Sequence, residues 1–464
     1  MSAPVSVVFL IDNIETSVPG VEQALRQLIH RFQQRRLEVT CKFTGERARQ
    51  VRRLVYPELT IALKTQDIGL YGNFHVDQPT PAEYVGDLGW MEGARKFFIQ
   101  EAPGYDDVCH VGGRIPSCFG NESWSPHSYG ALSRWGIRVR LSRHCFLSDN
   151  ERPFFFGARL NLSQLGANWL DIGPTITDPK AGDHWFEKIA ERVWSFGGKA
   201  GVVVVQMYAD DLLARRTPDF WKRSSQENAA GLLKEAEACQ RGLDNLDRIL
   251  DRLIGLENAK IHSARQVADR FADISYERRI QLEDLRAIAR HAAIGKLEPF
   301  KYEAGYLAPS EQLYILARAW DETRRKGKLI RNSTLQAPLG PAELVSTEPS
   351  VSGIWAKELP DVLANLLAFI HKFARLPDSV ETADGAISVQ DLLPTLAGGF
   401  HDELEAVDLP LRQGKLANAD RVDEKLARTC WKVPVHPPEF EVPRQIEIAR
   451  QQLWTYKPVL EITG

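Results

Sequence analysis

The chain has 464 residues, too many for one ordinary hydrophobic core, so two domains are expected. Apolar residues make up 44% and charged residues 26%, as in soluble globular proteins. A formal net charge of −3 gives no electrostatic case for nucleic acid or an anionic membrane as partner.

The elements follow in chain order. VSVVFLID is a continuous apolar run, which predicts a strand covered on both faces. It has no basic lead and meets Asp12 at once, so it reads as a first core strand and not as a leader peptide. The spacing in PGVEQALRQLIHRFQQRR predicts a helix opened by Pro19. LEVTCKFTG reads as a second strand, ERARQVRRLV as a short helix, and LTIALKTQDIGLYG as the return to the sheet. A helix is expected around AEYVGDLGWMEGARKFFIQEA, then strand and loop in VCHVGGRIP. SPHSYGALSRWG predicts a helix ended by Gly136, and IRVRLS another strand. HWFEKIAERVWSFGG is a helix with a glycine stop, and GVVVVQMYAD is the plainest buried strand of the chain. A long amphipathic helix follows in NAAGLLKEAEACQRGLDNLDRILDRLI, then a last short strand and helix in NAKIHSARQVADRF.

This alternation predicts a parallel α/β layer or barrel over residues 1–272, with chemistry gathered where strands end. Residues 273–464 read as mainly helical, with turn-rich linkers. YLAPSEQLYILARAW and AISVQDLLPTLAGGF echo each other, either as a repeated helical unit or as two ordinary capped helices. The cysteines Cys41, Cys109, Cys118, Cys145, Cys239 and Cys430 form no CxxC pair, so free thiols in a reducing compartment are expected. No stretch is long enough to span a membrane, and a cytoplasmic location is expected.

Several strand ends carry chemistry. Asp12 closes the first strand as a base, a ligand or a turn cap, and Asn13 beside it is a poorer base and a weaker ligand for a hard cation. His75 and Asp77 lie two apart and point the same way if extended. They either share a metal with Asp12 or pair with each other, since a metal normally takes three protein ligands. GGRIPSCFGNESWSP carries Arg114, Glu122 and Trp124. Arg114 either holds Asp12 or grips a ligand's carboxylate or hydroxyls. Trp124 either stacks on a sugar face or covers the core. VVVVQMYADD puts Gln206, Tyr208, Asp210 and Asp211 past a strand end. Gln206 can hydrogen-bond a ligand but cannot shuttle a proton, and Asp210 or Asp211 can cap the helix near TPDFW. HCFLSDNERPFFFGARL is a lid, a substrate wall or a packed excursion.

Taken in order, the Asp pair, the polar loop before PTPAEY, RIPS, SPHSYGALSRWGI and the late strand before TPDFW resemble the polysaccharide deacetylase (NodB-homology) family. The likeness covers roughly residues 5 to 272, and is to divergent bacterial members with a C-terminal extension. It implies a deformed (β/α) barrel followed by a mainly helical domain. The family's chemistry uses an Asp base, an Asp and two histidines on a divalent metal, an arginine holding the base, and a late histidine acid. Under this resemblance Asp12 matches the base and Arg114 its holder. Asn13 falls at the metal aspartate, Phe74 and Gln78 at the histidine pair, and Gln206 at the acid; a slip of one residue would save His75 alone. Amide hydrolysis needs an activated water and a proton for the leaving group, and Phe and two amides supply neither.

The expectation is therefore a deacetylase-like protein with a degenerate metal site and no cofactor, binding a carbohydrate or acetylated sugar polymer. Its catalytic positions are Asp12, Arg114 and His75, and its ligand-binding positions Asn13, Asp77, Gln78, Trp124, Gln206 and Tyr208. One alternative is an active hydrolase with zinc or another divalent metal on Asp12, His75 and Asp77. Another is a protein-interaction scaffold working through the C-terminal domain, alone or as a homo-oligomer. Within that domain LANLLAFIHKFARLPDSVETADGAISVQDLL resembles small cell-wall-binding repeats of the pseudomurein type.

Overall fold

The computed structural model describes residues 4–13, 18–54, 56–75, 79–121, 123–147, 149–163, 165–215, 233–271, 273, 279–302, 305–327, 332–343, 345, 351–401, 408–432 and 436–459. Ten strands of the first part share one sheet. They are β1 (Val5–Asn13), β2 (Thr40–Thr44), β3 (Asp67–Gly72), β4 (Cys118–Phe119), β5 (Val139–Ser142), β6 (Phe154–Phe156), β7 (Arg159–Ser163), β8 (Trp169–Asp171), β9 (Val202–Tyr208) and β10 (Ala259–His262).

The order runs from the C-terminal strand Lys457–Pro458 through β6, β7, β5, β4, β3, β2, β1 and β9 to β8. Strand β1 pairs along one edge with β9; its other edge takes β10 at Val5–Val8 and β2 at Leu10–Asn13. Pairings are parallel except β6 with β7 and β6 with the C-terminal strand. The result is an α/β fold built on a curled, open, mixed sheet.

Two-residue alternation decides which face each side chain takes. Val7, Phe9 and Ile11 join Cys41, Phe43, Ile68 and Leu70 under the flanking helices Val21–Gln34 and Ala236–Ile254. Val8 and Leu10 join Val139, Leu141, Leu160, Leu162, Val202 and Val204 in the concave interior.

The helix expected over residues 82–102 is two helices, Pro81–Val85 and Trp90–Gly112. The second absorbs the VCHVGG segment read above as strand and loop. Val108 and Val111 are three apart and both buried, so helical spacing prevails over their β-branched preference.

The C-terminal echo is a structural repeat. Helix Leu282–Ala292, hairpin Phe300–Tyr302/Gly305–Leu307 and helix Pro309–Lys326 form one unit. Helix Leu359–Phe373, hairpin Ser379–Thr382/Gly385–Ser388 and helix Val389–His401 form the other. Glu311, Leu313, Leu316, Ala317 and Trp320 match Asp391, Leu393, Leu396, Ala397 and Phe400. The units interlock, because the first helix of each packs on the second helix of the other.

The chain then returns to the sheet. Ala427, Cys430, Trp431, Leu453 and Tyr456 bury against Trp124, Tyr129, Phe146, Phe154 and Phe156. No described helix is long and apolar enough to cross a membrane.

Candidate functional site

The concave interior changes character toward the C-terminal ends of its strands. On β1 the inward series is Val8, Leu10, Asp12, and on β9 it is Val202, Val204, Gln206, Tyr208. The lower positions are apolar and the upper ones polar. Lys42 on β2 and Tyr71 on β3 complete the upper layer, and Lys42 is register-paired with Asp12.

Asp12 is fully buried. Its Oδ1 lies 3.3 Å from the Lys42 ammonium, and its Oδ2 accepts a 2.7 Å hydrogen bond from Gln206 Nε2. Trp169 fixes which end of the Gln206 amide faces Asp12. The indole N–H only donates, and it donates to Gln206 Oε1 at 2.7 Å, which turns the amide nitrogen toward the carboxylate. The same nitrogen donates to the Tyr208 hydroxyl at 3.2 Å. The Lys42 ammonium also lies 5.1 Å from the centre of the Tyr71 ring.

Lys42 is absent from the positions expected from the sequence, yet among the described residues it is the cation that meets Asp12. Gly69 makes room for it, since a Cβ there would stand 2.5 Å from Cys118 Sγ and 3.1 Å from Lys42 Cγ. The signal was a lysine alternating with Thr40 and Thr44 on one face of a strand otherwise built to be buried.

The other sequence-derived positions scatter. Asn13 faces away from Asp12 by strand alternation, and its Oδ1 accepts from Arg47 Nε at 3.4 Å. Arg47 is itself buried and donates to Glu22 at 2.6 Å and Gln50 at 2.9 Å. His75 follows β3, with its ring 5.6 Å from that of Tyr71. Arg114 lies elsewhere: it precedes β4, at the opposite end of the strands from Asp12, and donates to the Lys64 carbonyl. The cation beside Asp12 is thus Lys42 and not Arg114. Trp124 is fully buried, 4.4 Å from Phe146 between ring centres, and presents no free face for stacking. Asp211 caps the short turn after β9 by accepting from the Tyr208 backbone N–H at 2.7 Å. Asp77, Gln78, Glu122 and the TPDFW segment lie outside the described residues.

A second buried carboxylate sits at the far end of the strands. Asp67 accepts from Thr40 Oγ1 at 3.0 Å, Ser117 Oγ at 2.8 Å and the Arg265 backbone N–H at 3.1 Å. Burial pushes its carboxyl up to about 6, against the pull of those donors.

The metal implied by the resemblance does not fit the described residues. The position expected to carry its aspartate is Asn13, whose carbonyl oxygen already faces a guanidinium. Asp12 faces an ammonium. Among the described residues no three His, Cys, Asp or Glu side chains are grouped to hold a metal ion.

No family model and no curated protein matches this chain. Solved structures give distant likenesses. An allantoinase shares 10% identity, with 58% of this chain and 90% of that one covered, at a TM-score of 0.38. A probable polysaccharide deacetylase from Pseudomonas aeruginosa PAO1 shares 9%, covering 58% and 91%, also at 0.38. A carbohydrate esterase family 4 pseudoenzyme from Bacillus anthracis shares 8%, covering 57% and 65%, at 0.31. Likenesses of this size carry no argument about chemistry.

Proposed function

We propose that this protein is a deacetylase-like pseudoenzyme that binds an acetylated carbohydrate polymer without hydrolysing it. The supporting observation is the state of Asp12. Its carboxylate is engaged by the Lys42 ammonium on one oxygen and by the Gln206 amide N–H on the other, where a general base would have to meet water. Gln206, where the acid is expected, has no proton to give. Neither group activates water or protonates a leaving amine.

A second reading, a scaffold that holds a protein partner, draws support from two placements. The Asp12 layer is filled by the chain's own side chains, and Trp124 is enclosed in the core. The interlocked C-terminal repeat is then the working part.

The test is a binding screen over N- and O-acetylated polysaccharides joined to an acetate-release assay, with and without added zinc. Binding without acetate release supports the first reading. Absence of any glycan binding favours the scaffold. Acetate release that disappears in Asp12→Asn contradicts both.

A further inference from the structure

Arg140 is a buried cation that neither the Asp12 layer nor the packing accounts for. It stands on β5 between Phe119 of β4 and Asn161 of β7. Val139 and Leu141 on either side of it point into the concave interior, so its side chain leaves by the outer face. There it is 0% exposed, with the guanidinium 4.7 Å from the centre of the Phe119 ring.

Nε, Nη1 and Nη2 of Arg140 are all buried, and none has a hydrogen-bond partner among the described residues. Ser163 Oγ, on the same face of neighbouring β7, is likewise buried without one. The Tyr129 hydroxyl, within electrostatic reach, donates to Asn161. The neighbouring Cys145 thiol does not supply a counter-charge. Burial pushes Cys145 up to about 12, so it is neutral near pH 7. A guanidinium cannot shed its proton, and a buried charge is held only when paired and hydrogen-bonded. The Phe119 face offers a weak partial substitute.

We propose that Arg140 anchors an enclosed small inorganic anion of the chloride class, at the seam between the sheet and the returning C-terminal segment. The donors available to it are the arginine N–H groups and the Ser163 O–H. The burial of both Arg140 and Ser163 leaves no room for bulky anions.

The test is thermal unfolding of the full chain in chloride and in gluconate at matched ionic strength. Wild type is expected to gain about 2 °C for each tenfold rise in chloride and nothing in gluconate. Arg140→Met is expected to lose the chloride response and to unfold above wild type at the lowest chloride. Crystals of wild type grown in bromide give an independent readout, with an anomalous peak at hydrogen-bond distance from the Arg140 guanidinium. Superposed chloride and gluconate series, an unchanged chloride response in Arg140→Met, or no bromide at Arg140 would each overturn the proposal.

Discussion

Lys42 and Asp12 face each other across register-paired positions of adjacent strands, 3.3 Å apart and both buried. Two charges so enclosed depend on each other. Removing either one takes a close counter-charge from the other in a medium that solvates it poorly, which costs more than the pair itself contributes.

Lys42→Met should therefore destabilise the protein by about 3 kcal/mol, the range for breaking a buried pair. Adding Asp12→Asn to that variant should restore most of the loss, because no uncompensated charge remains. Urea unfolding of the two single variants and the double closes the cycle. Additive losses would mean that the pair is not coupled.

Asp67 gives a pH signature of defined sign. Its carboxyl is raised to about 6 in the folded protein, from 3.8 ordinarily, by burial. The folded state holds the proton more tightly, so this contribution is complete below about pH 4 and is lost as pH rises through 6. The loss is on the order of 3 kcal/mol. Asp67→Asn keeps an acceptor for Thr40, Ser117 and the Arg265 N–H but does not titrate. Its stability relative to wild type should rise between pH 4 and pH 7, followed by thermal unfolding. A difference that is flat with pH would contradict the assignment.

Lys457 ties the C-terminal strand to the helical repeat. Its buried ammonium lies 2.8 Å from Glu311 Oε1 and also contacts Asp273. Lys457→Met should cost about 4 kcal/mol by leaving buried carboxylate behind. Limited proteolysis should then cut within the last segment before the rest of the chain. Cleavage at unchanged rate would show that the ammonium does not hold it.

Gly93 lies against the imidazole of His127, so that an added Cβ would overlap the ring. Gly93→Ala should destabilise by about 2 kcal/mol through overpacking. Combined with His127→Ala it should destabilise less than the two single changes summed, since the ring that clashes is gone. Chemical denaturation of the three variants measures this, and strict additivity would argue against the contact.

The first layer of the fold was legible because burial on both faces leaves a signature. The runs VSVVFLI and GVVVV are apolar at every position but Ser6, as expected of interior parallel strands. The helical repeat was half legible, since its matched aliphatics stand at helical spacing, while its pairing across units is a tertiary matter. The site was less so. A motif such as RIPS reads the same on either side of a strand, so Arg114 could not be assigned an end of the sheet from the sequence. Lys42 went unread because its meaning depends on register: only when Thr40–Phe43 pairs with Leu10–Asn13 does a lysine in a strand become the partner of Asp12. The return of the last segment onto the sheet leaves no local signal, because the two pairs of Lys457–Pro458 lie some three hundred residues from their partners.

Calorimetric titration of zinc into the full-length wild type and into Asp12→Asn tests the central claim most directly, with acetate release measured on the same samples. The account predicts no saturable zinc binding dependent on Asp12 and no acetate, because Asp12 already faces the Lys42 ammonium and no three His, Cys, Asp or Glu side chains are grouped to hold a metal among the described residues. One-to-one zinc binding that is lost in Asp12→Asn, accompanied by acetate release, would contradict it.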